Sequence, residues 1–135
     1  MLFAFPSGVA NDMTETNFDF EHLAQGGFPL QTFQAGEKIF IQDDDGAHMY
    51  VVRSGRVNIV ASGTILENIG PNGIFGELAL LDGAPRSATA VALEPTELAV
   101  IDERAFLYMV EKDPKIALQL LRRLAERLRR MNQSL

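Results

Sequence analysis

The sequence predicts a mainly β fold, a sandwich or barrel, with flanking helices, and three observations carry that prediction. Between Phe33 and Val100, short apolar runs are broken by Gly, Asp, Asn or Pro roughly every ten residues, as strands joined by tight turns require. After Asp102 the apolar residues fall instead at helical three-and-four spacing. The 135 residues, 47% hydrophobic and 22% charged, suit one compact core.

In chain order, residues 1–27 are expected to form a tail with one short helix, in "NFDFEHLAQGG", stopped by Gly26 and Gly27. The apolar opening "MLFAFPSGVA" has no basic leader and is too short for a secretory signal or a membrane span. Residues 28–102 are expected to hold the strands, in "KIFIQ", "MYVVRSG", "RVNIVASG", "TILENIG", "SATAVALE" and "ELAVID". Their spacers, "QAGE", "DDDGA", "RSG", "SGT" and "PNG", are rich in turn-forming residues, and Gly36, Gly46, Gly55, Gly63 and Gly73 are assigned to those turns. Residues 103–135 read as helices: Ala105, Tyr108 and Met109 mark a short one, and Pro114 opens a longer one in its first turn.

The absence of cysteine excludes a disulfide scaffold, thiolate metal sites and a catalytic thiol, and fits a reducing, cytoplasmic setting. The net charge of −6 argues against nucleic acid as a partner, since duplex binding draws on clustered Lys and Arg. Residues 115–135 nevertheless hold six basic residues against Glu126 alone, a net +5, leaving −11 on the remainder.

Several tempting motifs fail on spacing. "DDDG" has its Gly too early for a calcium loop and reads as a solvated turn. "GPNGIFGE" is neither a dinucleotide fingerprint nor a P-loop. His22 and His48 have no companion at ligand spacing, so no metal is expected, and Ser87 lacks a nucleophile elbow, so no catalytic residue is assigned.

"FGELALLDGAPRSATAVAL" at 75–93 survives the same test. Gly76 followed by "ELALL" can start a helical turn whose N–H groups, at Glu77, Leu78 and Ala79, point at an anion. Glu77 would repel a bare phosphate there, so the ligand should bring a hydroxyl donor as well as an anion, as a ribose phosphate does. Pro85 keeps the approach to Arg86 extended, small residues at Ser87, Ala88 and Ala90 leave room, and the guanidinium fork matches two phosphate oxygens. The alternative is that Glu77 and Arg86 pair with each other beneath a loop.

This stretch resembles the phosphate-binding cassette of the cyclic nucleotide-binding domains, whose pattern Phe-Gly-Glu-Leu-Ala-Leu, then Pro-Arg-x-Ala-Thr, is unbroken from Phe75 to Thr89. Upstream, "FQAGEKIFIQDDDGAHMYVVRSGRVNIV" is similar to the family's first strands, and the likeness extends from about Phe28 onward. The likeness is to sensor domains of the catabolite-activator and protein kinase A regulatory-subunit types. The resemblance implies a β-roll, a jelly-roll-like barrel, over 28–102, with its cassette at 75–89. It further implies that Phe75, Gly76, Glu77, Leu78, Ala79, Pro85, Arg86, Ser87 and Ala88 form the ligand site. Glu77 would accept from the ribose 2′-hydroxyl and Arg86 would clamp the exocyclic phosphate oxygens. Ser87, where members preferring cyclic GMP often carry Thr, tilts the expected ligand to cyclic AMP with cyclic GMP as the alternative. Met131 and Ser134 are the candidate base contacts, because in related regulators the last helix covers the purine.

Relatives attach this module to an output domain, such as a helix-turn-helix, a kinase or a channel. The sequence shows none after Leu135 and no span before residue 20, so the expectation is a sensor acting on a separate effector protein, with no direct nucleic acid or membrane contact. The alternatives are the sensor half of a catabolite-activator-type transcription regulator and, remotely, an enzyme. Ala117, Leu121, Leu124, Leu128, Met131 and Leu135 are spaced as a coiled-coil seam, which implies a homodimer through the last helix, with Ile116 and Leu120 turned to the chain's own barrel. Arg122, Arg123, Arg127, Arg129 and Arg130 lie off the seam and read as a solvated face.

Overall fold

The computed structural model describes residues 28–133. The described residues hold eight strands: β1 Leu30–Phe33, β2 Lys38–Phe40, β3 Met49–Ser54, β4 Val57–Ala61, β5 Thr64–Ile69, β6 Ile74–Phe75, β7 Thr89–Ala92 and β8 Thr96–Ile101. Helix α1, Glu77–Asp82, sits between β6 and β7, while α2, Glu103–Lys112, and α3, Lys115–Gln133, follow β8. The expected helix before Phe28 lies outside the described residues. The strands form two antiparallel four-stranded sheets, ordered β1-β8-β3-β6 and β2-β7-β4-β5. Among the described residues these are two facing sheets of a β-roll, not a closed barrel.

The continuous apolar run "MYVV" has a direct cause in this layering. Strand side chains alternate between faces, and the first sheet is covered on both. Tyr50, Val52, Phe75 and Leu98 pack against Val57, Ile59, Ile69 and Ala90 of the second sheet. Met49, Val51, Ile74, Ala99 and Ile101 face the opposite way, onto Leu80, Phe106, Met109, Ile116 and Leu120 of the helices. Register keeps both sets in line, with Tyr50 opposite Val100 on one side and opposite Phe75 on the other.

Helix α2 begins where the Asp102 side chain accepts from the Ala105 N–H at 2.8 Å, a cap that contributes about 1 kcal/mol. Its buried residues are Phe106 and Met109, whereas Tyr108, expected on the same face, is 53% exposed. Asp113 turns the chain and accepts from the Lys115 N–H at 3.1 Å. Helix α3 then lays Ile116 and Leu120 into the core, and its next two residues on that face, Arg123 and Arg127, run over the cassette. No helix of the described residues is long and apolar enough to cross a membrane.

Candidate functional site

The cassette is placed by β6. Phe75 pairs with Tyr50 across the sheet and stacks on its ring at 5.1 Å between centroids, so Gly76 emerges beside the start of β3. Gly76 has φ of 78°, a left-handed conformation that glycine adopts without cost. A Cβ there would lie 2.8 Å from Arg86 Nη1 and 3.3 Å from the His48 carbonyl, so the position demands glycine twice over. Helix α1 follows and ends at Gly83, whose N–H donates to the Ala79 carbonyl.

Arg86 is held by backbone on every side. Its own N–H donates to the Asp44 carbonyl and its carbonyl accepts from the Asp43 N–H, both at 2.8 Å. Its Nη1 donates to the Gly76 carbonyl at 3.0 Å and its Nη2 to the His48 carbonyl at 2.9 Å. The guanidinium carbon lies 4.0 Å from the centre of the Phe40 ring, a cation–π arrangement. Arg86 is 5% exposed, and its Nε is the one buried side-chain polar atom among the described residues without a hydrogen-bond partner. Burial lowers the Arg86 pKa from its ordinary value, opposed by Tyr50 and by the charges of Glu77 and Asp44. The Tyr50 phenol is raised, chiefly by burial, with Arg86 pulling the other way.

Glu77 does not pair with Arg86. Its carboxylate, in a residue 1% exposed, accepts from Arg123 Nε at 2.8 Å and from Arg127 Nη1 at 3.4 Å. Arg123 reaches on to Glu67 of β5 at 3.3 Å, and Arg127 lies 3.7 Å from the same carboxylate. Two arginines of α3 therefore tie the last helix to both the cassette and the β5 edge. For two of the five helix arginines this corrects the reading as a solvated face: Arg123 is 3% exposed and Arg127 is half-buried, because the carboxylates of Glu77 and Glu67 take cations there, whereas Arg129 and Arg130 are exposed.

All nine cassette residues predicted from sequence, Phe75, Gly76, Glu77, Leu78, Ala79, Pro85, Arg86, Ser87 and Ala88, line one pocket. The pocket is partly open to solvent. Its charged lining is Glu67, Glu77, Arg86, Arg123 and Arg127, a net +1. Met131 does not reach it: one turn beyond Arg127 the helix has passed the pocket, and Met131 is 64% exposed. Ser134 lies outside the described residues. Gly46 is also corrected. Its φ is not positive, and its role is space, since a Cβ there would sit 2.4 Å from Arg86 Nε and 2.6 Å from its Cζ. The "DDDGA" turn is thus the far wall of the Arg86 seat. Sequence reasoning missed it, along with Phe40, Glu67, Arg123 and Arg127.

A model of the cyclic nucleotide-binding domain family matches residues 30–113. This chain belongs to that family. The cyclic nucleotide-binding domain is 38% identical over 112 residues to the cyclic AMP receptor protein of Thermus thermophilus, covering 79% of this chain and 52% of the relative. The chain thus spans about half of that relative's length. The crystal structure of Thermus thermophilus catabolite activator protein superposes with a TM-score of 0.75 at 36% identity, covering 84% of this domain and 55% of that chain. A protein of a cyclic-GMP-dependent signalling pathway that regulates bacterial phytopathogenesis superposes with a TM-score of 0.71 at 28% identity, over 82% and 91% of the two chains. Among the described residues no group of three or more metal-ligating side chains gathers in the domain.

Proposed function

We propose that this pocket binds a cyclic mononucleotide, cyclic AMP in preference to cyclic GMP, and that the domain is a sensor without chemistry of its own. One observation carries the reading: a buried guanidinium and a buried carboxylate line one pocket without pairing with each other. Nη1 and Nη2 of Arg86 each give one N–H to a carbonyl, and the second N–H on each serves phosphate oxygens, while Nε is buried against the Gly46 turn. The 2′-hydroxyl of the ribose donates to Glu77, and the backbone N–H groups after Gly76 hold ribose and phosphate. The net +1 lining favours an anionic ligand.

The preference for cyclic AMP rests on Ser87, which is exposed at the pocket wall and lacks the methyl group of the Thr found in many cyclic GMP binders. Calorimetric titration with cyclic AMP, cyclic GMP and cyclic di-GMP tests both levels. Tightest binding of cyclic AMP is expected. Absence of heat with either mononucleotide sinks the reading, and tighter cyclic GMP binding reverses the selectivity.

The output belongs to α3. Leu121, Leu128 and Met131 are 61%, 60% and 64% exposed while Ala117 and Leu124 are partly buried, so these three seam positions are turned away from the chain's own core and suit a second copy of the helix. A homodimer through this seam, on the same helix as Arg123, would pass ligand occupancy to a partner protein. The second reading, the sensor half of a transcription regulator, is favoured by the 52% coverage of the Thermus relative. The full length of the gene separates the two.

A further inference from the structure

The cassette holds two buried opposite charges close together in sequence, and in most proteins such a pair would collapse. The cost of an uncompensated buried charge is several kcal/mol, so a carboxylate in the interior takes the nearest available cation. Arg86 is near enough for the Glu77 charge to act on its ionisation, and its Nη1 already rests on the carbonyl of Gly76, the residue before Glu77. Yet the carboxylate is held from the other side, by Arg123 Nε at 2.8 Å. Arg123 is fixed in turn by Glu67, so its guanidinium is braced between β5 and the cassette. It comes from α3, where the same face carries Leu120 and Ile116 one and two turns earlier, so an apolar residue would continue the pattern.

We propose that Arg123 is a positioning residue that draws Glu77 away from Arg86 and so keeps the phosphate-binding guanidinium available. The proposal rests on the cyclic nucleotide reading above, and it assigns the selectivity of the ribose end to a residue outside the cassette. Without Arg123, Glu77 keeps only the longer contact from Arg127 and turns to Arg86, where it occupies the donors that the phosphate needs. A ligand would then meet a self-neutralised pair in place of two separate recognition groups.

This predicts a reversal of sign. In the unaltered protein, Glu77→Gln weakens cyclic AMP binding, because the carboxylate accepts from the ribose. In an Arg123→Leu background the same change strengthens binding, because it removes the group that blocks Arg86. Calorimetry on the full chain should show Arg123→Leu weakening cyclic AMP by about tenfold or more, as for loss of one partner of a buried charge pair, and Glu77→Gln restoring at least about threefold of it, roughly half the logarithmic loss. Arg123→Lys, which keeps the charge but not the planar fork, should fall between the unaltered protein and Arg123→Leu. If Arg123 merely anchors the helix, the double variant binds no better than Arg123→Leu, and that result overturns the proposal. NMR of the Arg86 guanidinium in the ligand-free proteins gives a readout independent of nucleotide: its signal should shift in Arg123→Leu, where Glu77 reaches it, and return toward the unaltered position in the double variant. Should the unaltered protein bind no cyclic nucleotide, the functional reading fails, and the Arg86 signal alone decides the proposal; a signal that is the same in Arg123→Leu and in the double variant overturns it.

Discussion

The two ends of the cassette are built in opposite ways. The Arg86 end is made of backbone: carbonyls of Gly76 and His48 take two of its donors, the 43–44 turn brackets its peptide, and Phe40 lies beneath the guanidinium. All of these belong to the β-roll, so this end exists wherever the roll folds. The Glu77 end is made of side chains, and its charge is balanced by Arg123 and Arg127, about fifty residues away on α3. Its geometry lasts only while the helix stays docked. On the cyclic nucleotide reading proposed above, the fixed end would take the phosphate and the conditional end would report ribose contact through the helix.

That contrast can be broken most severely at the fixed end. Arg86→Ala should weaken cyclic AMP binding by about two orders of magnitude or more while the fold persists, since loss of a buried charged partner costs roughly 2–5 kcal/mol and each 1.4 kcal/mol is tenfold. Unchanged affinity in a folded variant, by calorimetry and circular dichroism, would remove Arg86 from the phosphate. Gly46→Ala attacks the same end without touching a ligand group. Its added Cβ, 2.4 Å from Arg86 Nε, should displace the guanidinium and cost about thirtyfold in affinity, within the roughly 1–3 kcal/mol of overpacking. If the loss is negligible, the seat is looser than its backbone contacts imply.

The conditional end should yield smaller effects. Glu77→Gln is expected to weaken cyclic AMP binding by about fivefold, the difference between a charged and a neutral hydrogen-bond acceptor, and to narrow the gap between cyclic AMP and its 2′-deoxy analogue. An unaltered gap would place the ribose elsewhere. Least of all should Leu128→Arg change binding, because Leu128 lies on the seam and not on the face toward the pocket. It should instead convert a dimer to a monomer in light scattering. A protein already monomeric at high concentration with nucleotide present would make the seam something other than a dimer contact.

How far the sequence could be read follows the same division. The strands were legible from alternation and turn residues, and the cassette from an unbroken local pattern, because both depend on neighbours in the chain. The two shortest or most exposed strands, β1 and β6, were not, since Leu30–Phe33 is largely exposed and Ile74–Phe75 is only two residues long. Gly46 read as a turn because nothing local says that Arg86, forty residues later, needs the space of its missing side chain. Arg123 and Arg127 did leave a signal. Ile116, Leu120, Arg123 and Arg127 are spaced four, three and four, a second stripe beside the seam, and two arginines continuing an apolar stripe ask for buried acids. The partners, Glu67 and Glu77, come from two elements that only the fold brings under the helix.

The central claim is that a carboxylate held by two helix arginines still serves the ribose. Side-by-side calorimetric titration of the unaltered protein with cyclic AMP and 2′-deoxy cyclic AMP tests it most directly. The account predicts that the deoxy analogue binds about tenfold or more weakly, the worth of one hydrogen bond to a buried charged acceptor; equal affinities would mean that Glu77 is spent on Arg123 and Arg127 and reads no hydroxyl.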